Sequence, residues 1–197
     1  MLLRPLILRL PLAIAAAFTI TGSGIQRPVG AAALDDRPLT LPNLKRDERC
    51  PVTAGSLESV PPAPHIFGSG AVWFGRGPVF VTLAFKANRL PPAQFSLSRV
   101  PFEGGARRAK TPWVSEPAFA GPIVIRGGSL RPDRAALSFG YDREPTPRLE
   151  LMAPGSRPSA HDWSFWGTSM YVPGPGCYGV QIDTRDKTDI VIFEATP

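Results

Sequence analysis

The stretch Tyr171 to Asp183, YVPGPGCYGVQID, decides the fold class. Pro173, Gly174, Pro175 and Gly176 lead up to Cys177, after which Tyr178, Val180 and Ile182 alternate with Gly179, Gln181 and Asp183. Successive side chains of an extended chain point to opposite faces, so period-two alternation marks a strand with one buried face. The prolines have no N–H to give a ladder and therefore stand at the strand's entrance. With Tyr178, Val180 and Ile182 turned to a core, Cys177 points away from it.

The same reasoning extends in both directions. Downstream, the polar run Thr184 to Thr188 suits a hairpin turn into Asp189 to Ala195. Ile190, Val191, Ile192 and Phe193 make that last strand apolar on both faces, so it belongs in the middle of a sheet or covered on both sides. Upstream, Ala71 to Gly75 and Val79 to Phe85 read as a hairpin through Arg76-Gly77-Pro78. In the second arm Val79, Val81, Leu83 and Phe85 share one face, and Phe80, Thr82 and Ala84 the other. Further strands are expected over Phe95 to Val100, Ala136 to Tyr141 and Leu149 to Leu151. Gly121 to Arg126 is another, ended by a turn at Gly127-Gly128. Trp163 to Val172 completes the set, with a bulge at Gly167. Beyond residue 33 no window holds a helical period for three turns, and the 24 prolines interrupt nearly every candidate helix. Roughly eight or nine short strands predict an all-β, antiparallel immunoglobulin-like sandwich, with a small barrel as the alternative.

Residues 1–33 differ in kind. Arg4 and Arg9 precede an apolar run from Leu10 to Ile20, and Ala31-Ala32-Ala33 supplies small residues for cleavage. That pattern is a secretory signal peptide cut after Ala33. The alternative is an uncleaved anchor, since Leu2 to Ile20 nearly reaches membrane-spanning length, although Arg4, Pro5, Arg9 and Pro11 interrupt it. No later segment approaches that length, so no membrane span is expected in the mature chain. Residues 34–64 are rich in proline and charge and read as an extended N-terminal arm, with Pro61-Pro62-Ala63-Pro64 a stiff lead into a β-sandwich domain over residues 65–197.

The formal charge of +6 falls once the signal is removed. Three of the 22 basic residues, Arg4, Arg9 and Arg27, precede the cut and no acid does, which leaves 19 basic against 16 acidic side chains and a net +3. The only tight basic cluster is Arg107-Arg108-Ala109-Lys110. Nucleic-acid binding needs a dense basic stripe with aromatic stacking partners, so this cluster reads as a solvated loop and no nucleic-acid partner is expected. In an oxidising compartment Cys50 and Cys177 are expected to pair, stabilising the fold by about 3–5 kcal/mol; two independent thiols are the alternative. Cys50 follows Asp47-Glu48-Arg49, not the small apolar residues of a lipoprotein signal.

Catalytic chemistry finds few footholds. His161-Asp162 are neighbours whose side chains point apart in an extended chain, and no serine sits in a nucleophile elbow, Gly68-Ser69-Gly70 included. Glu103, Glu116, Asp133, Asp142 and Glu150 are the candidate acids for a hydrolytic pair, but nothing in the spacing selects two of them. Gly104-Gly105 and Gly127-Gly128 lack the strand–turn–helix setting of a phosphate loop and read as turns. No metal-ligand spacing occurs, His65 and His161 being far apart, and no cofactor is expected. Trp73, Trp113, Trp163 and Trp166 are mostly core. Trp163 and Trp166 lie three apart, hence on opposite strand faces, and one of them is a candidate exposed contact for a sugar or peptide.

Lys110-Thr111-Pro112-Trp113, Gly121 to Ile125, Trp163 to Trp166 and Tyr171 to Asp183, together with Cys50-Pro51, carry a resemblance. Over about the last two thirds of its length the chain resembles a loose group of bacterial exported proteins and lipoproteins of unknown function, which have a GCY or GCW near the end of an immunoglobulin-like β domain. The resemblance implies export and a β domain, and no catalytic residue. The expectation is therefore an extracytoplasmic, non-enzymatic β-sandwich with an interaction or structural role at the bacterial cell envelope. Its partner would be an envelope protein or a glycan, and its contact regions Val100 to Lys110 and Pro173 to Gly176. The alternatives are a secreted hydrolase acting on envelope material and a secreted protease inhibitor.

Overall fold

In the computed structural model, which describes residues 34, 36–56, 72–83, 93–132, 135–141, 144–154 and 163–197, the alternation after Cys177 becomes a strand at the centre of a two-sheet sandwich. The described strands are β1 (Val79–Val81), β2 (Gln94–Ser96), β3 (Phe102–Glu103), β4 (Ala106–Ser115), β5 (Gly121–Ser129), β6 (Ser138–Gly140), β7 (Arg148–Ala153), β8 (Ser164–Val172), β9 (Gly176–Asp183) and β10 (Thr188–Thr196). One sheet runs β1-β4-β8-β6, with β3 also on β4. The other runs β2-β10-β9-β5-β7. Neighbours are antiparallel except β2 and β10, which are parallel. β10 lies between β9 and β2, with Val191, Phe193 and Ala195 buried and Ile190 and Ile192 half-buried.

The core lies where the inner faces meet. Val79, Val81 and Leu83 supply one face of the hairpin, and Tyr178, Val180 and Ile182 face them from β9. The Phe193 ring stacks between Phe95 at 5.6 Å and Tyr178 at 5.5 Å. Burying each such ring is worth about 1.5–3 kcal/mol. One polar relay crosses the interior: Trp113 Nε1 donates to Thr168 Oγ1 at 3.1 Å, which donates to the Thr111 carbonyl at 2.7 Å.

Four sequence expectations change. The longest strand, β4, occupies ground read as a solvated loop. Its inward positions are Arg107, Ala109, Thr111, Trp113 and Ser115, too mixed to show as alternation. Pro112 is tolerated inside it because its neighbour on the β1 side is Thr82, just past the end of the β1 ladder, which donates to the Pro112 carbonyl. Gly127-Gly128 is no turn, since β5 runs through it to Ser129. A Cβ on Gly127 would stand 2.5 Å from the Gly179 carbonyl oxygen, so glycine serves close approach there. Gly167 is no bulge: β4 and β8 pair in unbroken register from Arg107↔Val172 to Ser115↔Ser164. Phe95 to Val100 is strand only to Ser96, whose hydroxyl accepts from Ser98 N–H and turns the chain into one 3-10 turn.

Both margins of the sandwich are stitched. On one, Thr53 N–H bonds the Ile192 carbonyl of β10, Ser56 bridges Trp73, and Phe74 bridges Val81 of β1. On the other, Gly128 of β5 bridges Ala136, which leads into β6. Hydrogen bonds thus run around the molecule through both sheets, the feature a barrel would share.

The arm covers the outward face of β9 residue by residue. Cys50 is bonded to Cys177, with Cα atoms 5.6 Å apart. Leu41 packs over Gly179, where a Cβ would come within 2.8 Å of it. Gln181 accepts from Thr40 N–H at 2.8 Å and donates to the Pro38 carbonyl at 3.0 Å. Arg131 holds the arm from the other side through the carbonyls of Lys45, Arg46 and Glu48. The disulfide therefore clips arm to sandwich and does not join the two sheets. Residues 1–33, 57–64 and His65 lie outside the described residues. No helix among the described residues is long and apolar enough to cross a membrane.

Candidate functional site

A hydrolase would need acids that converge on an open cleft. Of the candidates, Asp133, Asp142 and the pair His161-Asp162 lie outside the described residues. The other three are apart. Glu103 sits by the β3–β4 turn, paired with Arg108 at 3.3 Å. Glu116 follows the far end of β4, and Glu150 lies on β7 of the other sheet, 2.7 Å from Arg148.

Two buried carboxylates escaped the sequence reading, and both are saturated. Asp183, fully buried, accepts from Arg126 at 2.7 Å, Thr188 at 2.6 Å and Gln181 at 2.9 Å. Arg126 also donates to the Arg37 carbonyl at 2.7 Å, so the arm closes this network. Asp189 accepts from Arg76 N–H at 2.6 Å, Arg76 Nε at 3.0 Å and Ile190 N–H at 2.9 Å, which pins the β1 turn of one sheet to β10 of the other. The crevice beside Asp189, lined by Gly77 to Val79 and by Ile182, Thr184 and Lys187, has room for about one water molecule. Among the described residues no group of acids, histidines or cysteines is arranged to hold a metal ion.

Trp163 and Trp166 do fall on opposite faces of the sheet, but both are buried, at 7% and 6% exposure. Trp166 joins the main core. Trp163 joins a second apolar cluster on the outward face with Trp73, Phe80, Val114 and Phe165. The expected exposed-aromatic contact is therefore not at either tryptophan, because the outward face of β1, β4 and β8 carries a second layer of packing.

The most exposed aromatic among the described residues is Phe102, at 66% exposure, on β3. Glu103, Gly104, Gly105 and Ala106 form the turn into β4, with φ of 59° and 83° at the two glycines, the left-handed geometry of a tight hairpin that glycine adopts without cost. Phe102 pairs across the hairpin with Arg107, whose guanidinium carbon lies 5.3 Å from the ring centroid. Arg107 also donates to the Val100 carbonyl at 3.0 Å. Arg108, beside it, reaches Glu103, Ser169 Oγ at 3.0 Å and the Tyr141 carbonyl at 3.5 Å. Tyr141 is itself 43% exposed, and burial of the rest pushes its phenol above the ordinary value. Arg107 pairs with Val172 of β8, the residue before Pro173. The two contact regions expected from sequence thus meet at one end of the sandwich, where Pro101, Pro173 and Pro175 are exposed.

No protein-family model, curated protein or solved structure matches the chain. The composition of the hairpin end was visible in PFEGGARRAK; what the sequence lacked was the pairing that brings it beside Pro173.

Proposed function

We propose that this protein is an exported, non-enzymatic interaction module of the bacterial cell envelope, an immunoglobulin-like sandwich that meets its partner through the hairpin end. Sandwiches commonly bind through the loops gathered at one end. The observation that carries the reading is Phe102, a large apolar ring held two-thirds exposed on a braced hairpin among arginines. An isolated exposed leucine would mean little, but aromatic and arginine side chains side by side are the composition of binding hot spots. Export draws support from the signal-like residues 1–33 and from the Cys50–Cys177 bond, which suits an oxidising compartment. The hydrolase alternative draws none from Asp183 and Asp189, whose oxygens are taken up by partners. The test is capture from envelope extract with wild-type protein and with Phe102→Ala/Arg107→Ala. A partner retained by the first and lost by the second is expected. Identical captures by both would refute the hairpin end as the site.

A further inference from the structure

We propose that the hairpin end docks on an anionic lipid surface, with the Phe102 ring entering the interface and the neighbouring cations lying over the headgroups. This rests on the interaction reading above and names its partner. The large apolar side chains exposed among the described residues are Leu39, Phe102, Tyr141 and Met152, and two of these four touch one short basic segment, Phe102 through its ring on Arg107 and Tyr141 through its carbonyl on Arg108. That segment, Arg107-Arg108-Ala109-Lys110, is the only tight basic cluster in the sequence. Its one acidic neighbour on the hairpin, Glu103, is neutralised by Arg108, while Arg99 and Lys110 are exposed. The corner therefore presents positive charge and apolar rings together.

Shape chooses among anionic partners. Peptides are gripped in grooves or along sheet edges. Phe102 instead stands beside a projecting turn, and nothing lies within 4 Å of where side chains on Gly104 or Gly105 would begin. A bilayer interface needs no groove, since it yields around a protruding ring. Tyr141, half apolar with a polar tip, suits headgroup depth, as such rings do at membrane interfaces. The uncharged shoulders Pro101, Pro173 and Pro175 allow close approach without desolvating charge. One ring and a few cations give reversible, salt-sensitive binding.

The experiment is vesicle flotation with the full protein, comparing phosphatidylcholine alone with phosphatidylcholine containing a third of phosphatidylglycerol. Binding is expected to the second and to be weak on the first, and to fall as salt screens the headgroups. Phe102→Ala should lower the partition coefficient about tenfold or more. Arg107→Gln and Arg108→Gln should each lower it on the order of fivefold. Met152→Ala, on the other sheet, should leave it unchanged, and circular dichroism checks that each variant is folded. Excess soluble glycerol phosphate should not displace the protein; displacement would point to a single phosphate site and overturn the proposal. So would equal binding to neutral vesicles, insensitivity to the hairpin variants, or no binding. Hairpin-dependent capture of a protein without vesicle binding would overturn the lipid surface alone, and failure of both assays would sink both readings.

Discussion

Removing the Cys50–Cys177 bond should cost about 5 kcal/mol and still leave the arm docked. The bond joins residues 127 apart in sequence. In the chain-entropy model a loop of that length restricts the unfolded chain by about 16 cal/mol/K, which is about 5 kcal/mol at 25 °C. Against a typical total of about 5–15 kcal/mol, that is a large share. The arm has other holds: Leu44 N–H to the Leu130 carbonyl, Thr53 N–H to Ile192, the Ser56–Trp73 bridge and the Arg131 clamp. Each is worth about 1 kcal/mol net, so together they suffice to keep the arm in place in the folded state. The measurement is guanidinium unfolding of the oxidised protein and of Cys50→Ala/Cys177→Ala, with hydrogen exchange at the Leu44, Thr53 and Ser56 amides. The midpoint should fall by about 1 M, while the three amides keep protection in the variant. A midpoint that hardly moves would refute the loop-entropy account. Immediate exchange of those amides beside protected β9 and β10 would show the bond alone holds the arm.

Asp183→Asn should cost about 3 kcal/mol, because it leaves the mostly buried Arg126 without its charge partner; a double-mutant cycle with Arg126→Met should show coupling, and additive losses would contradict the network. Gly127→Ala should destabilise by about 2 kcal/mol, since the new carbon meets backbone at 2.5 Å, whereas Gly167→Ala, 3.5 Å from the Phe165 ring, should be nearly neutral in thermal melts. Tryptophan emission should be blue-shifted and resistant to iodide quenching, as all four rings are buried; an accessible fraction would mean that Trp163 or Trp166 is exposed. An absorbance titration of wild-type protein against Tyr141→Phe should show the Tyr141 phenol ionising above its ordinary value of 10.0. Because the fold favours the neutral form, the associated stability is complete below the ordinary value and is lost as pH rises through the higher one.

What the sequence disclosed follows from how cleanly each element shows its period. β9 is legible because Tyr178, Val180 and Ile182 fill its inward places, and β10 because of its apolar run Ile190 to Phe193; the outward direction of Cys177 follows from the β9 count. β4 is not legible, because its inward side mixes arginine, alanine and threonine with tryptophan, and Pro112 argues against a strand unless the end of β1 beside it is known. Gly127 looks like a turn glycine until Gly179 is brought against it by a pairing of distant segments. The site divides the same way. Phe102 and its arginines are adjacent in sequence, but its exposure depends on a hairpin whose turn is set by two glycines. Asp183 could not be read as buried, since what buries it is an arm from the other end of the chain.

The dependence of the second sheet on β10 has a consequence for when the molecule can form. β10, last in sequence, lies between β9 and β2, and Thr53 docks on it as well. The arm, β2 and β9 therefore share a partner only once β10 is available. Contacts spanning this much of the chain fold slowly, on the order of milliseconds to seconds, because the loops must close before their pairings contribute. The strand order thus acts as a built-in delay: segments made early wait for β10 before their sheet can close.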